Sequence, residues 1–299
     1  MNAIPEAQNT ERQLDRLAAQ RHIYSSAKSI QALEIALTVV GGVACSLGAI
    51  LRPEIKAYAA LYGLVVGTLD YFLLTAHVKA LRLQAAKVQE LFDCDVLQLP
   101  WHELQAGRRP DAEAVVAASM KFKRRDSECV GLHDWYPVAV GKMPIHKARL
   151  VCQRSNCRWD AELRRRYGGL TLGIAATLVV VLPIYGLARH LALDEFLLGV
   201  VMPLGPILLW GVREYRENVE AAATGDSLKV HAERVWERAI SGTMSEDELT
   251  KEARDLQDEI FDQRRRSSLV YDWLYWRLRQ GQEQQMLAAA EERLSELEE

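Results

Sequence analysis

The chain has 299 residues, 49% of them apolar, a net charge of −3 and five cysteines. Those averages would suit an ordinary soluble protein, but they blend four apolar stretches with strongly charged segments. The blend excludes a single soluble core as the whole of the design.

Residues 1–29 carry charge and lack the short apolar core and small-residue cleavage site of a cleavable signal peptide. Thr10-x-x-Gln13 has the spacing of a capping box, with Leu14, Leu17 and Ala18 following on one face. The pattern predicts an amphipathic helix that lies in the membrane interface or packs on a soluble domain.

Residues 30–78 read as a hairpin of two membrane spans. Ile35 to Leu51 is free of charge, and Ala57 to Val78, with histidine counted neutral, carries no charge except Asp70. Residues 51–56 form the tight link. A carboxylate in a membrane helix costs several kcal/mol unless paired, hydrated or protonated. Asp70 therefore either faces a bundle interior or water path, or bonds to Thr38, Ser46 or Thr75 and serves packing. Gly63-x-x-x-Gly67 is a small-residue pattern that permits close helix approach.

Residues 79–166 are polar, with 17 basic and 11 acidic side chains. The pattern predicts a helix from Lys79 to about Phe92, a turn near Gly107 to Asp111, and a helix near Ala112 to Phe122. His133-Asp134-Trp135-Tyr136-Pro137 then lies in a loop, and a last helix carries Cys152 to Asp160 into the next span. No long alternating pattern predicts strands.

The clearest membrane signal follows. Tyr167 to Ala188 holds no charged residue across 22 positions, and it sits between Arg164-Arg165-Arg166 and Arg189. About 20 apolar residues cross a hydrocarbon core of roughly 30 Å. Phe196 to Val212 is likewise uncharged and stops at Arg213. Residues 167–212 thus form a second hairpin, with Gly169-x-x-x-Gly173 and Pro183 in one span and Pro203-Leu204-Gly205-Pro206 in the other. Proline removes a helix hydrogen bond. Pro203, Gly205 and Pro206 are either a gate hinge or a fixed kink shaped by packing.

Residues 213–299 hold 13 basic and 21 acidic side chains. Ser245-x-x-Glu248 predicts a capped helix carrying Leu249, Ala253, Leu256 and Ile260. Arg264 to Arg266 precede Tyr271, Trp273, Tyr275 and Trp276, and residues 282–299 read as an exposed helix that frays or forms a short coiled coil.

The two hairpin links hold three basic residues together, against four in residues 1–29, 17 in 79–166 and 13 in 213–299. The positive-inside rule places both termini and the central segment in the cytoplasm. The expected fold is an all-α membrane protein: four transmembrane helices as two hairpins, with a mostly helical cytoplasmic domain. The cysteines then face a reducing space or the membrane, which argues against a disulfide framework.

No phosphate-binding glycine loop, Gly-x-Ser-x-Gly, HExxH or kinase signature is present. Cys152-x4-Cys157 with Cys129 and His133 could assemble a zinc site, but the spacing is not that of a standard knuckle, and buried structural thiols are the alternative. Arginine clamps phosphates and aromatic rings stack on bases. The candidate ligand residues are accordingly Trp101, Arg124, Arg125, His133, Trp135, Tyr136, Arg154 and Trp159. Composition alone also allows core aromatics and membrane-proximal basic anchors.

The ordered set Gln8-Asn9, Ala19-Gln20-Arg21 with Tyr24-Ser25-x-Ala27-Lys28, Leu97-Gln98-Leu99-Pro100-Trp101, Asp134-Trp135-Tyr136-Pro137 and Cys152-Gln153-Arg154-x-Asn156-x-x-Trp159-Asp160 resembles the SMODS-associated four-transmembrane pore-forming effectors. The resemblance covers essentially the whole chain. It implies an effector of bacterial anti-phage (CBASS) systems, residing in the inner membrane and working with a CD-NTase nucleotidyltransferase. A cyclic di- or oligonucleotide activates such an effector, which forms homo-oligomers, compromises the membrane and kills the cell. It implies no catalytic residues, no metal and no further cofactor. Within that frame Asp70 is the candidate pore-facing group. The rival is a membrane sensor or scaffold that recruits a partner through its C-terminal helices without forming a pore. A third reading is a membrane-embedded enzyme built on Asp70 or His133-Asp134.

Overall fold

The structure is a computed structural model that describes residues 1–298, with side chains described for all of these except 130, 272–283 and 298. The expected side chains of Trp273, Tyr275 and Trp276 lie outside the described set. Among the described residues there are helices and no strand. Four helical runs are long and apolar enough to cross a membrane: Glu11–Leu51, Pro53–Val96, Ile145–Ala188 and Leu193–Ile240. The chain is an all-α multi-pass membrane protein.

It divides into two units. A polar unit holds Met1–Ser26, Leu81–Arg164 and Ala221–Glu299, and a membrane unit holds Ala27–Ala80 and Arg165–Glu220. The N-terminal region is two helices, α1 (Ile4–Gln8) and α2 (Glu11–Ile35). The Thr10-Gln13 capping box does not form in its reciprocal sense. The Gln13 side chain faces Asp95 and accepts from Arg16 instead, while the Thr10 hydroxyl donates to the Ala7 carbonyl.

The membrane unit continues through a wide π turn at Ala36–Gly41 into α3 (Gly42–Leu51). After the link, α4 (Lys56–Leu69) and a second π turn at Asp70–Leu74 lead into α5 (Thr75–Val96). Two short helices of the polar unit follow, α6 (Glu103–Ala106) and α7 (Ala112–Lys123). The second hairpin is α8 (Ile145–Ala188), α9 (Leu193–Phe196), a third π turn at Leu197–Val201, and α10 (Met202–Ile240). The long helices α2, α5, α8 and α10 each contribute residues to both units.

Small residues set the spacing of the membrane helices. A Cβ on Gly63 would come within 3.1–3.2 Å of Met202 and Pro203 backbone atoms, and one on Gly67 would touch Pro206. The Gly63-x-x-x-Gly67 pattern is therefore used inside the unit, against the fourth span. Gly169 and Gly173 differ: a Cβ on either would meet no packed neighbour within 4 Å. Ile50, Leu182, Val200, Leu204 and Ile207 form the apolar core. Outward positions such as Leu61, Leu64, Phe72, Val180 and Ile184 are exposed, as hydrocarbon-facing side chains must be. Gly63→Ala should separate the second and fourth spans and cost about 1–3 kcal/mol of overpacking strain. A thermal melt in detergent checks this, and an unchanged melting temperature would contradict the close approach.

The polar unit packs several apolar clusters and a buried ionic network. Phe92, Leu97, Tyr136, Met143, Leu150 and Trp236 sit in the principal core cluster. The expected Ser245–Glu248 capping box forms in both directions and starts α11 (Glu246–Arg266). The C-terminal helix α12 (Asp272–Glu298) is not the free helix that composition implied. Ala290 is buried against the core with Leu294 and Leu297 beside it, and Trp236 donates to Glu296 at 2.7 Å. Its alternating polar residues hide an apolar stripe that a composition reading averages away.

Asp93 is fully buried and ties three elements together. It accepts from the Tyr136 hydroxyl at 2.6 Å and from Gln257 at 2.9 Å, and it pairs with Arg264. One turn earlier Glu90 pairs with Arg254 at 2.7 Å and accepts from Gln257 at 2.8 Å. Both carboxylates are thus neutralised by arginines of α11.

Candidate functional site

Two places in the molecule concentrate unusual chemistry, one in each unit. In the membrane unit, Arg213 on α10 donates to Asp70 at 2.9 Å and pairs with Glu34 of α2. Thr75 donates to Asp70 at 3.2 Å. Glu34 is only 4% exposed. One guanidinium therefore clasps carboxylates from the first and second spans to the fourth. Of the partners the sequence suggested for Asp70, Thr75 is one; Arg213 was passed over because it lies just outside an uncharged run. Glu34 was passed over for the same reason at the start of the first span. A pair of opposite charges flanking two apolar runs was the available signal.

The other gating candidates sit nearby. Pro203 is the second residue of α10 but lies inside the continuous helical run Leu193–Ile240, directly after the third π turn, so its missing N–H removes a helix bond there. Its carbonyl lies 3.1 Å from where a Gly42 Cβ would be. Pro206 lies within α10 and meets Gly67. Gly205 has nothing within 4 Å of its Cβ direction, so it points away from these contacts.

In the polar unit the eight ligand candidates separate. Tyr136 is 1% exposed and stacked on Phe92, with burial and then Asp93 raising its phenol above the ordinary range. Trp101 is half-buried, donates to the Gly107 carbonyl at 2.8 Å and lies under Arg109. Arg154 is held by Glu233 at 2.8 Å, and Trp159 is half-buried on α8. His133 is exposed in its loop.

Arg124 and Arg125 are exposed where α7 ends. Asp15 of α2 pins that helix by bonding Lys123 at 2.7 Å and Ser119 at 2.5 Å. The docking brings Lys121 and Arg125 near enough to His22 of α2 for their charges to act on it. Burial, then the charges of Lys121 and Arg125, hold the His22 imidazole below its ordinary value. One residue away, Arg21 lies 5.9 Å over the ring of Trp135. A basic patch with an aromatic face thus joins Arg21, His22, Lys121, Arg125 and Trp135. His22 and Lys121 carried no motif of their own, and Arg21 stood only in the set Ala19-Gln20-Arg21. They became visible only once α2 and α7 were seen side by side.

The motif residues that read as a family signature hold the fold. Gln8 exchanges two hydrogen bonds with the Tyr136 backbone at 3.1 and 2.7 Å, and Asn9 bonds Asp134 at 2.8 Å. Arg149 clamps the Leu97 and Gln98 carbonyls, and Gln153 donates to Ala253. Residues 2–293 match the model of the SMODS-associating 4TM effector domain.

The chain belongs to this family.

Among its relatives is a Bacillus cereus (strain VD146) protein named "Probable CBASS effector molecule". It is 23% identical over 290 residues, covering 94% of this chain and 95% of the relative. No solved structure matches the chain. The family assignment and the four apolar helices agree on a membrane effector, and the geometry above shows where its polar chemistry lies.

The five cysteines are free thiols, Cys45 half-buried and the other four buried. Burial pushes the Cys157 thiol up to about 12 and the Cys94, Cys129 and Cys152 thiols upward. They are poor nucleophiles and poor ligands in that state. Among the described residues no group of three or more His, Cys, Asp or Glu side chains is placed to hold a metal ion.

Proposed function

We propose that the chain is a CBASS effector of the bacterial inner membrane, activated by a cyclic di- or oligonucleotide and non-catalytic. A CD-NTase supplies the nucleotide. The ligand docks on the basic patch of the polar unit, with both termini and that unit in the cytoplasm. Several copies assemble and permeabilise the membrane. The observation that carries this reading is the cluster of Arg21, His22, Lys121 and Arg125 beside the Trp135 ring, in a family defined by its membrane effectors. Phosphate groups suit such a cluster, and a base suits the ring.

The four helices shared by both units give binding a route to the spans. A ligand shifts a population only by its differential affinity for the two states. The Arg213 clasp holds the resting state, because it joins three of the four membrane runs in one bond set.

Calorimetry on the full-length protein in detergent tests the docking, using cyclic di-AMP, cyclic di-GMP, cyclic GMP–AMP and cyclic tri-AMP. Lys121→Glu with Arg125→Glu should abolish binding of whichever compound binds wild type, while the melting temperature stays near wild type. The sign of the pH effect follows from His22. Its value is lowered in the free protein and a bound phosphate raises it, so binding takes up a proton. Affinity should rise as the pH falls from about 7.5 toward the ordinary histidine value of about 6.5. His22→Ala should flatten that profile. Binding that survives the double charge reversal would move the site elsewhere.

A further inference from the structure

The membrane unit hides a polar lane that the reading above does not use. Resting on that reading, we propose that the leak runs through the interior of each chain's own four-helix bundle, and that Glu34, Thr38 and Ser46 line it for a hydrated monovalent cation.

The three residues stand on one face of the first span at spacings of four and eight, with Gly42 between the last two. All are buried, Thr38 at 3% and Ser46 at 0% exposure. A buried serine or threonine in a membrane helix ordinarily bonds to a carbonyl one turn back. Thr171 does so toward Tyr167, and Thr68 toward Leu64. Thr38 and Ser46 do not: among the described residues, neither hydroxyl has a partner. The Trp210 ring nitrogen on the fourth span is likewise buried and unpartnered.

The fourth span faces this lane along its length. Glu34 meets Arg213, Gly42 meets Ile207 and the Pro203 carbonyl, and Ala49 lies against Gly199. Pro206 cannot donate to the Met202 carbonyl one turn back, and that carbonyl points at Gly63 of the second span. Hydroxyls and carbonyl oxygens are the ligands that replace water around a monovalent cation. Glu34 and Asp70 place two carboxyl groups on the one guanidinium of Arg213, and carboxyl oxygens suit a cation. Ile50, Val200 and Leu204 close the other end with apolar side chains, and such a constriction gates by dewetting. The outward faces carry no comparable polar row: Leu47, Leu61, Leu64 and Val65 are exposed there.

Cysteine labelling in liposomes tests the lane on the full-length protein. Cys45→Ala removes the only half-buried native thiol. Thr38→Cys, Ser46→Cys and the outward-facing Ala44→Cys are then treated with the cationic methanethiosulfonate MTSET. The treatment is run at rest, with each of the four cyclic nucleotides, and in an Arg213→Gln background that opens the clasp without ligand. The expected result is labelling of Thr38→Cys and Ser46→Cys in an opened condition, with Ala44→Cys unlabelled and entrapped potassium released. Potassium release without labelling of the two lane thiols would overturn the inference and place the path between chains, leaving the leak reading intact. No labelling in any condition would also overturn it. Labelling of the lane without any leak would support a hydrated interior and overturn the leak reading. Thr38→Val with Ser46→Ala provides a second readout. Replacing unpartnered hydroxyls by apolar groups leaves stability unharmed, so a lost leak in that variant reports conduction and not folding.

Discussion

Arg213→Gln is expected to make the protein leak without any nucleotide. The clasp carries two carboxylates on one guanidinium, and neither carboxylate has a second cation among its described bonds. Removing one partner of a buried pair costs about 3–5 kcal/mol, because the charge left behind is uncompensated. If about 3 kcal/mol of that falls on the resting state alone, the open population rises on the order of a hundredfold. Expression in cells without a CD-NTase should then slow growth, and purified protein should release entrapped potassium from liposomes unprompted. Adding Glu34→Gln and Asp70→Asn to the variant removes the stranded charges and should restore silence. A quiet, folded Arg213→Gln protein that still answers the ligand would show that the clasp does not hold the resting state.

Asp70→Asn alone is milder than the sequence reading implied. That reading left Asp70 either pore-facing or bonded to Thr38, Ser46 or Thr75. In the structure its carboxylate is engaged by Arg213 and Thr75, so the substitution first weakens a clasp.

The second large effect is on stability. Asp93→Ala should lower the unfolding free energy of the polar unit by about 3–5 kcal/mol, since it strands the buried Arg264 guanidinium and the Tyr136 hydroxyl together. Tyr136→Phe removes only one of the three bonds to Asp93 and should cost about 0.5–1.5 kcal/mol. The two variants differ by enough that melting curves in detergent rank them without ambiguity. Equal losses would mean that the ion pair contributes no more than one hydrogen bond. Charge reversal at the basic patch should move neither curve, which separates ligand chemistry from fold chemistry in the same unit.

The spans were legible because charge-free runs of this length have one physical explanation. The capping box at Ser245 was legible because it is local. The helix near Ala112 to Phe122 follows from periodicity, and α7 ends one residue later. What could not be read is what distant residues do for each other. Tyr136 looked like a base-stacking ring, yet its hydroxyl closes a core network with Asp93, forty-three residues away in the chain. Arg154 looked like a phosphate clamp and instead meets Glu233 from another helix. Arg125 kept its exposure and gained His22 as a neighbour. The same residue types fill both roles, and only the packing of α2 on α7, or of α8 on α10, tells them apart.

The three π turns have a mechanical consequence. Each holds one residue more than an α turn of the same rise, and each sits inside a run that crosses the membrane. Sliding such a turn along its helix exchanges one set of backbone bonds for another and turns the intervening side chains by about 100°. The first lies between Glu34 and Ser46, the second starts at Asp70, and the third precedes Pro203. A bundle with this stored register can present different faces to its interior without leaving any peptide group unbonded, which is the condition that hydrocarbon imposes on every motion within it.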